Sequence, residues 1–216
     1  MIIAIDGPSA SGKSTTAKGI AEKLEIMHLD TGAMYRAVTL GLKNAGISHD
    51  DLGAVQGFLS EVEIYFDKNN QIHLNGVNIS KEIRTNDISS RVSAVSAIPE
   101  VRKKMVMIQR QIAKGNDCVL EGRDIGTVVF PNAEFKFFLI ADLEIRAKRR
   151  LIELVEMGEL KSVSELIDDI KRRDEFDSSR DHSPLKKAED AIPIDTSHIT
   201  IDEQINKIVN LINHNK

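Results

Sequence analysis

Gly7-Pro8-Ser9-Ala10-Ser11-Gly12-Lys13-Ser14 carries the pattern G-x-x-x-x-G-K-[ST]. Its residue types have a definite chemical use. Glycines let the backbone curl so that successive N–H groups point inward at phosphate oxygens. A helix starting behind the loop adds the positive end of its dipole. Lys13 then reaches the β- and γ-phosphates, and the Ser14 hydroxyl ligates magnesium. With ordinary residue frequencies, a chance match somewhere in a chain of this length is about 1%. The octet also lies between an apolar stretch at residues 2–5 and a helical pattern at 13–24, as the motif requires. The sequence therefore predicts binding of a nucleoside triphosphate.

Such a site can serve a switch, a motor or a transferase. A guanine-reading N-K-x-D is not met: Asn206-Lys207-Ile208-Val209 lacks the Asp and falls in an amphipathic helical pattern. Asp50-Asp51-Leu52-Gly53 matches the weak pattern D-x-x-G, but in what reads as a polar loop. The chain is short for a motor. Asp30, Glu121 and Asp142 each follow an apolar strand-like run and could assist a metal ion; the sequence leaves that choice open. Arginine placement says more. Arg36, Arg84, Arg102, Arg123, Arg173 and Arg180 each stand beside a motif rather than in a solvated run. Asp30-Thr31-Gly32-Ala33-Met34-Tyr35-Arg36 and Glu121-Gly122-Arg123-Asp124 each follow a strand. Such turns lie at the carboxyl edge of a parallel sheet, next to the phosphate loop. Two arginines and three acids at that edge suit an anionic second substrate with polar rims.

A helical face adds to this. Val163, Leu166 and Ile170 form an apolar stripe, and Arg173, Asp177 and Arg180 continue it within a sector of about 100°. Charge on an inward face is costly unless paired or given a ligand. The face reads either as a structural ion-pair ladder or as a wall that binds phosphate and sugar hydroxyls. Arg146, Arg149 and Arg150 share one face of the preceding helix, and a short polar loop at about 158–163 separates the two helices. Arginines flanking a loop fit a lid that closes over transferring phosphates. The alternative is a solvated basic face against Glu153 and Glu156.

The elements that must position these groups are legible as periodicities. Strands are expected at 2–5, 26–29, 119–120, 135–140 and 192–194, without alternation, as a parallel sheet demands. Helices are expected at 13–24, from about 31 to 46, from Pro99 to Gly115, from Leu143 to Met157, from the capping box Ser162-Val163-Ser164-Glu165, and after Thr200 and Glu203. Strands alternating with helices mean an α/β domain with a mostly parallel sheet. Residues 62–79 change to period two: Val62, Ile64 and Phe66, then Ile72 and Leu74, then Val77 and Ile79, with Asn69-Asn70 and Asn75-Gly76 between them. That reads as a hairpin plus a third short strand in a small inserted subdomain.

Composition sets the outer limits. The chain has 216 residues, 41% hydrophobic and 29% charged, ordinary for a globular protein. Its longest apolar run, residues 137–141, is far short of the ~20 residues a bilayer needs. The net charge of −4 disfavours a generic nucleic-acid binder. One cysteine, Cys118, permits no internal disulfide and reads as a buried thiol. The six histidines show no zinc spacing. The first residues do not form a signal peptide, so the expected compartment is cytoplasmic.

Taken together these residues resemble the bacterial cytidylate kinases, within the P-loop nucleoside monophosphate kinases. The resemblance covers nearly the whole chain. It rests on Ile5-Asp6-Gly7-Pro8-Ser9, the Asp30–Arg36 stretch, Glu82-Ile83-Arg84-Thr85, the run from Gly122 through Arg123-Asp124 to Phe130-Pro131, and Arg173-Asp174 with Asp177, Arg180 and Ser183-Pro184-Leu185. It implies an α/β fold with a P-loop NTPase-type core of about five parallel strands flanked by helices, a small antiparallel β-subdomain on the monophosphate side, and a helical lid. One kinase domain would then span 1–216. Its core would be about 1–60, 85–150 and 180–216, its insertion about 61–84 and its lid about 146–180.

The implied reaction is transfer of the ATP γ-phosphoryl group to CMP or dCMP, with Mg2+ as cofactor. Gly7, Pro8, Ser9, Ala10, Ser11, Gly12, Lys13, Ser14 and Thr15 would hold ATP. Thr31, Arg36, Arg84, Ser93, Arg102, Arg123, Asp124, Arg173, Asp177 and Arg180 would line the CMP site. Asp124 and Ser93 would read the cytosine amino group: a carboxylate accepts from the N4 donors, whereas uracil presents an acceptor there. Arg102 would serve O2 and N3 of the base, and Asp177 and Arg173 the sugar hydroxyls. Arg36, Arg123 and Arg180 would hold the α-phosphate, with Lys13, Arg123 and Arg180 catalytic. Thr31 stands where many relatives have Ser and keeps the hydroxyl. The implied partners are small nucleotides, with no nucleic acid or membrane, and the implied state is a monomer. The alternatives are another P-loop small-molecule kinase, acting on UMP, AMP, shikimate or dephospho-coenzyme A, or an ATP-binding regulator without catalysis.

Overall fold

A computed structural model describes residues 1–214. Residues 215 and 216, part of the expected core, lie outside the described residues. In chain order the elements are β1 (Ile2–Asp6), α1 (Lys13–Leu24), β2 (Met27–Asp30), α2 (Thr31–Asn44), α3 (Leu52–Glu61), β3 (Ile64–Phe66), β4 (Ile72–Leu74) and β5 (Val77–Asn78). A 3-10 turn at Glu82–Arg84 leads to α4 (Asn86–Ala97), α5 (Pro99–Ala113) and β6 (Cys118–Gly122). A single π-helical turn at Ile125–Val129 precedes β7 (Phe135–Ile140), α6 (Leu143–Glu156), α7 (Val163–Ser178), β8 (Ile192–Asp195) and α8 (Ile201–His214). The described residues form two compact units, residues 1–29 with 115–214, and residues 30–114.

The first unit is built on a five-stranded parallel sheet of order β2-β6-β1-β7-β8. β1 lies at its centre, with Ile5 opposite Glu121 on one side and Phe137 on the other. Ile3, Ile5, Phe137, Leu139 and Ile194 are buried with Ala17 and Ile20 of α1 and Ile205, Ile208 and Ile212 of α8. These strands read as unbroken apolar runs because helices cover them. α6 and α7 pack on each other through Ala147, Leu154, Leu166 and Ile170. The expected capping box starts α7: Glu165 N donates to Ser162 Oγ, and Ser162 N donates to Glu165 Oε2 at 2.8 Å.

The second unit packs α2 against α4, α5 and β4, beside the antiparallel sheet β3-β4-β5. The turn between β4 and β5 is Asn75-Gly76, both at positive φ, the conformation a two-residue hairpin needs. Three features depart from the sequence reading. The D-x-x-G stretch is no polar loop: the Asp51 side chain accepts from Ala54 N at 3.0 Å and starts α3. α4 was not expected. The third is the π-helical turn after Asp124, where Phe130 N donates to Ile125 O at 2.7 Å.

Candidate active site

The phosphate loop leaves β1 at Asp6 and enters α1 at Lys13. Gly7 has φ 151°, and a Cβ there would stand 2.3 Å from the Leu139 carbonyl oxygen, so only glycine fits over β7. Gly12, at φ 90°, turns the chain into α1, where Thr16 N donates to its carbonyl at 3.0 Å. The loop is backed from β8: Thr196 Oγ1 lies 3.0 Å from Ser11 O, and Arg149 donates to the Thr196 carbonyl.

Lys13 is buried and donates from Nζ to Pro8 O at 2.6 Å. Burial drives its pKa well below that of a free lysine, and the Arg123 cation adds to this. An ammonium so held gains most from an anion. Ser14 Oγ donates to Glu121 Oε2 at 2.5 Å. Glu121 Oε1 in turn lies 3.1 Å from His28 Nε2 on β2. The three carboxylates left open are thereby separated. Asp30 caps α2, Asp142 is exposed, and Glu121 alone of the three is shown bonded to the motif serine. A hydroxyl and a carboxylate suit magnesium, which takes one or two protein oxygens together with phosphates and water. Among the described residues no group of three His, Cys, Asp or Glu is placed to hold a metal.

Arginines gather over one carboxylate beside this loop. Asp177 is buried on α7, and its two oxygens accept from Arg123 Nε, at 2.8 Å, and from Arg180. Burial acts to raise the Asp177 pKa, but the Arg123, Arg180 and Arg173 cations outweigh it and hold the carboxyl below its ordinary range. Arg173 also lies 3.4 Å from Ser9 Oγ. Arg146 is buried and donates to Ser9 O at 3.1 Å and to Asp174, which accepts from Ser9 N at 3.2 Å. Of the three expected lid arginines, Arg146 thus touches the phosphate loop, Arg149 braces Thr196, and Arg150 pairs with Glu153 at 2.8 Å near the surface.

Asp124 is buried at the start of the π-helical turn. That turn is tied to β1: Ile125 N and Gly126 N both donate to the Asp6 carboxylate at 2.8 Å. Burial raises Asp6 to about 6, against these two hydrogen bonds, which favour the ion.

The second unit holds the other expected acceptor residues. Asp30 accepts from Ala33 N at 2.8 Å and pairs with Arg36 at 3.1 Å, with Arg84 at 3.8 Å. Thr31 is buried at the start of α2. Arg102 is buried on α5, donates to Ser96 O at 3.1 Å and lies over the Tyr35 ring at 5.3 Å. Ser93 is half-buried on α4. Thr31, Arg36, Arg84, Ser93 and Arg102 therefore belong to this unit, and Arg123, Asp124, Arg173, Asp177 and Arg180 to the first. Asp6, His28, Asp174 and Thr196 were not singled out individually. Asp6 and Asp174 had a signal, their places beside Gly7 and Arg173 in the quoted motifs.

A family profile described as cytidylate kinase matches residues 3–214. The chain belongs to the cytidylate kinase family. A cytidylate kinase of Halalkalibacterium halodurans is 46% identical over 215 residues, covering 98% of this chain and 97% of that protein. A cytidylate kinase of Clostridioides difficile is 47% identical over 213 residues, covering 99% and 98%. Among solved structures, a shikimate kinase from Bacteroides thetaiotaomicron superposes with a TM-score of 0.52 at 12% identity, covering 99% of this chain and 98% of that one. An uncharacterized protein from Eubacterium ventriosum gives 0.54 at 15% identity, with the same coverage. These two likenesses concern the fold. Like the shikimate kinase, this cytidylate kinase family member has helices around a parallel sheet. No helix among the described residues is long and apolar enough to cross a membrane.

Proposed function

We propose that this member of the cytidylate kinase family transfers the γ-phosphoryl group of ATP to a phosphate oxygen of CMP or dCMP, giving ADP and CDP or dCDP. The observation that carries the reading is the placement, in one unit, of a buried Lys13 in a phosphate loop and two arginines paired over Asp177. The acceptor phosphate is an anion at neutral pH, so the reaction needs no strong general base. Catalysis is positioning and charge neutralisation. Residues 7–15 hold the ATP phosphates, and Lys13 meets the charge that develops on them. Arg36, Arg123 and Arg180 hold the acceptor phosphate, with Arg84 lining the same site. Arg173 and Asp177 take the sugar hydroxyls. Asp124 and Ser93 accept from the cytosine amino group, and Arg102 donates to O2 and N3. Ser14, with Glu121 behind it, would hold Mg2+, which supplies charge neutralisation at the phosphates when bound.

The same reading divides the chain into a core of about 1–60, 85–150 and 180–216, a monophosphate-side insertion at about 61–84 and a lid at about 146–180. It places a monomeric enzyme in the cytoplasm, in pyrimidine nucleotide metabolism. The test is ADP release from Mg-ATP with CMP, dCMP, UMP, AMP and GMP offered singly. Strong turnover with CMP and dCMP, weak with UMP and none with purines is expected. Asp124→Ala should narrow the gap between CMP and UMP. Turnover with another acceptor only would overturn the cytosine assignment, and ATP binding without any turnover would overturn the reaction.

A further inference from the structure

Glu121 is engaged at both carboxylate oxygens. Oε2 accepts from Ser14 Oγ at 2.5 Å, and Oε1 lies 3.1 Å from His28 Nε2. β2 and β6 are neighbours in the sheet, so these side chains meet across adjacent strands. The His28 side chain is 12% exposed and that of Glu121 5% exposed. We propose that His28 is a positioning residue for the metal end of the phosphate loop, acting through Glu121 on Ser14. The proposal rests on the reading that Ser14, with Glu121 behind it, serves magnesium.

The argument is one of donors and acceptors. An ionised carboxylate only accepts. With the proton on Nε2, His28 donates to Oε1, and the Ser14 hydroxyl donates to Oε2. Once the Ser14 proton is committed to Glu121, the hydroxyl oxygen presents only lone pairs elsewhere, which is what a metal ligand requires. His28 fixes the carboxylate plane that holds Ser14 in this state. Without it, Glu121 loses the bond at Oε1, which water can hardly replace at such low exposure, and the plane of the carboxylate is held less firmly. Outer partners of this kind fix ligand orientation, and their loss costs about 10–100-fold in metal affinity. Nothing in the glycine motif requires a histidine here.

The test is calorimetric binding of ATP to the full chain, in EDTA and across a Mg2+ titration, together with steady-state kinetics. His28→Leu should raise the Mg2+ concentration that gives half of the metal-dependent tightening of ATP by tenfold or more. It should leave ATP binding in EDTA and the KM for CMP within twofold. His28→Gln, which restores an N–H donor, should recover most of the loss. A purely structural role would weaken ATP equally in EDTA and in Mg2+, and that result would overturn the proposal. Glu121→Ala separates the two levels of the argument. If it shifts the Mg2+ dependence and His28→Leu does not, His28 has no positioning role. If Glu121→Ala shifts nothing either, the metal reading fails and the proposal falls with it. Should His28→Leu not fold, His28→Asn gives the same comparison, because its shorter amide cannot span the contact to Oε1.

Discussion

Lys13 and Asp6 flank the phosphate loop, and burial acts on both. Lys13 has its pKa driven down, so the native state binds its proton less well than the unfolded chain does. At neutral pH its charge therefore opposes folding, offset in part by the bonds to Pro8 O and Ser11 Oγ. Lys13→Met should leave the melting temperature unchanged or higher without nucleotide, while kcat falls at least 100-fold. A melting temperature lower by several degrees would show that those two bonds outweigh the burial. Asp6 runs the other way. Its pKa is raised from 3.8 to about 6, so its protonated form is the one that folding favours. The stability it contributes is present below pH ~4 and lost as pH rises through ~6, about 3 kcal/mol by linkage. Asp177, held low by its arginines, contributes above its unfolded pKa and loses that as pH falls. The difference between wild type and Asp6→Asn isolates the Asp6 share. From pH 4.5 to 7 the urea midpoint should rise more, or fall less, in the variant than in wild type; parallel changes would reject the shift. The motif made Lys13 and Ser14 legible in the sequence. Glu121 stood there only as one of three open carboxylates, and Asp6 and His28 had no role of their own, because the groups they meet lie more than 90 residues away, where no spacing rule connects them.

α7 carries the charges of the expected site at one end and its cap at the other. Arg173 and Asp177 lie in its last two turns, and Ser162 and Glu165 close the first. Ser162→Ala should cost about 1 kcal/mol. Faster amide exchange confined to the first turn, with kcat within twofold, is expected; a large loss of kcat would mean that the cap end takes part in turnover. Capping boxes are local, so both this one and the Thr200–Glu203 pair could be read from the sequence. The helices that were missed have local reasons too. α3 starts at Asp51 inside a run of polar residues that reads as a loop until its cap is seen. α4 is rich in Ser and β-branched residues, whose weak helix propensity conceals the stripe Ile88, Val92 and Val95. The π-helical turn has no signal of its own, because it is held by Asp6 from another strand.

At the scale of the whole molecule, the period of each strand was legible but the order β2-β6-β1-β7-β8 was not. Pairings between residues more than 100 apart, such as Ile5 with Glu121, leave no local trace. That order is what brings β7 under the phosphate loop. Phe137 is fully buried on β7 between Ile5 of β1 and Ile192 of β8. Two residues on, Leu139 presents the carbonyl that Gly7 lies over. Phe137→Ala removes the largest fully buried side chain and should cost about 3–5 kcal/mol, a large share of the ~5–15 kcal/mol that holds a domain together. ATP binds the native state only, so at one fixed concentration, 100 times the wild-type Kd, it should add about 2.7 kcal/mol to the wild type. If the cavity stays under the strand, that increment is the same in wild type and variant. Thermal and urea unfolding with and without Mg-ATP measure it directly. A smaller increment in Phe137→Ala would mean that the loss travels two residues along β7 and shifts the Leu139 carbonyl, so that core packing and the shape of the phosphate loop are set by the same strand.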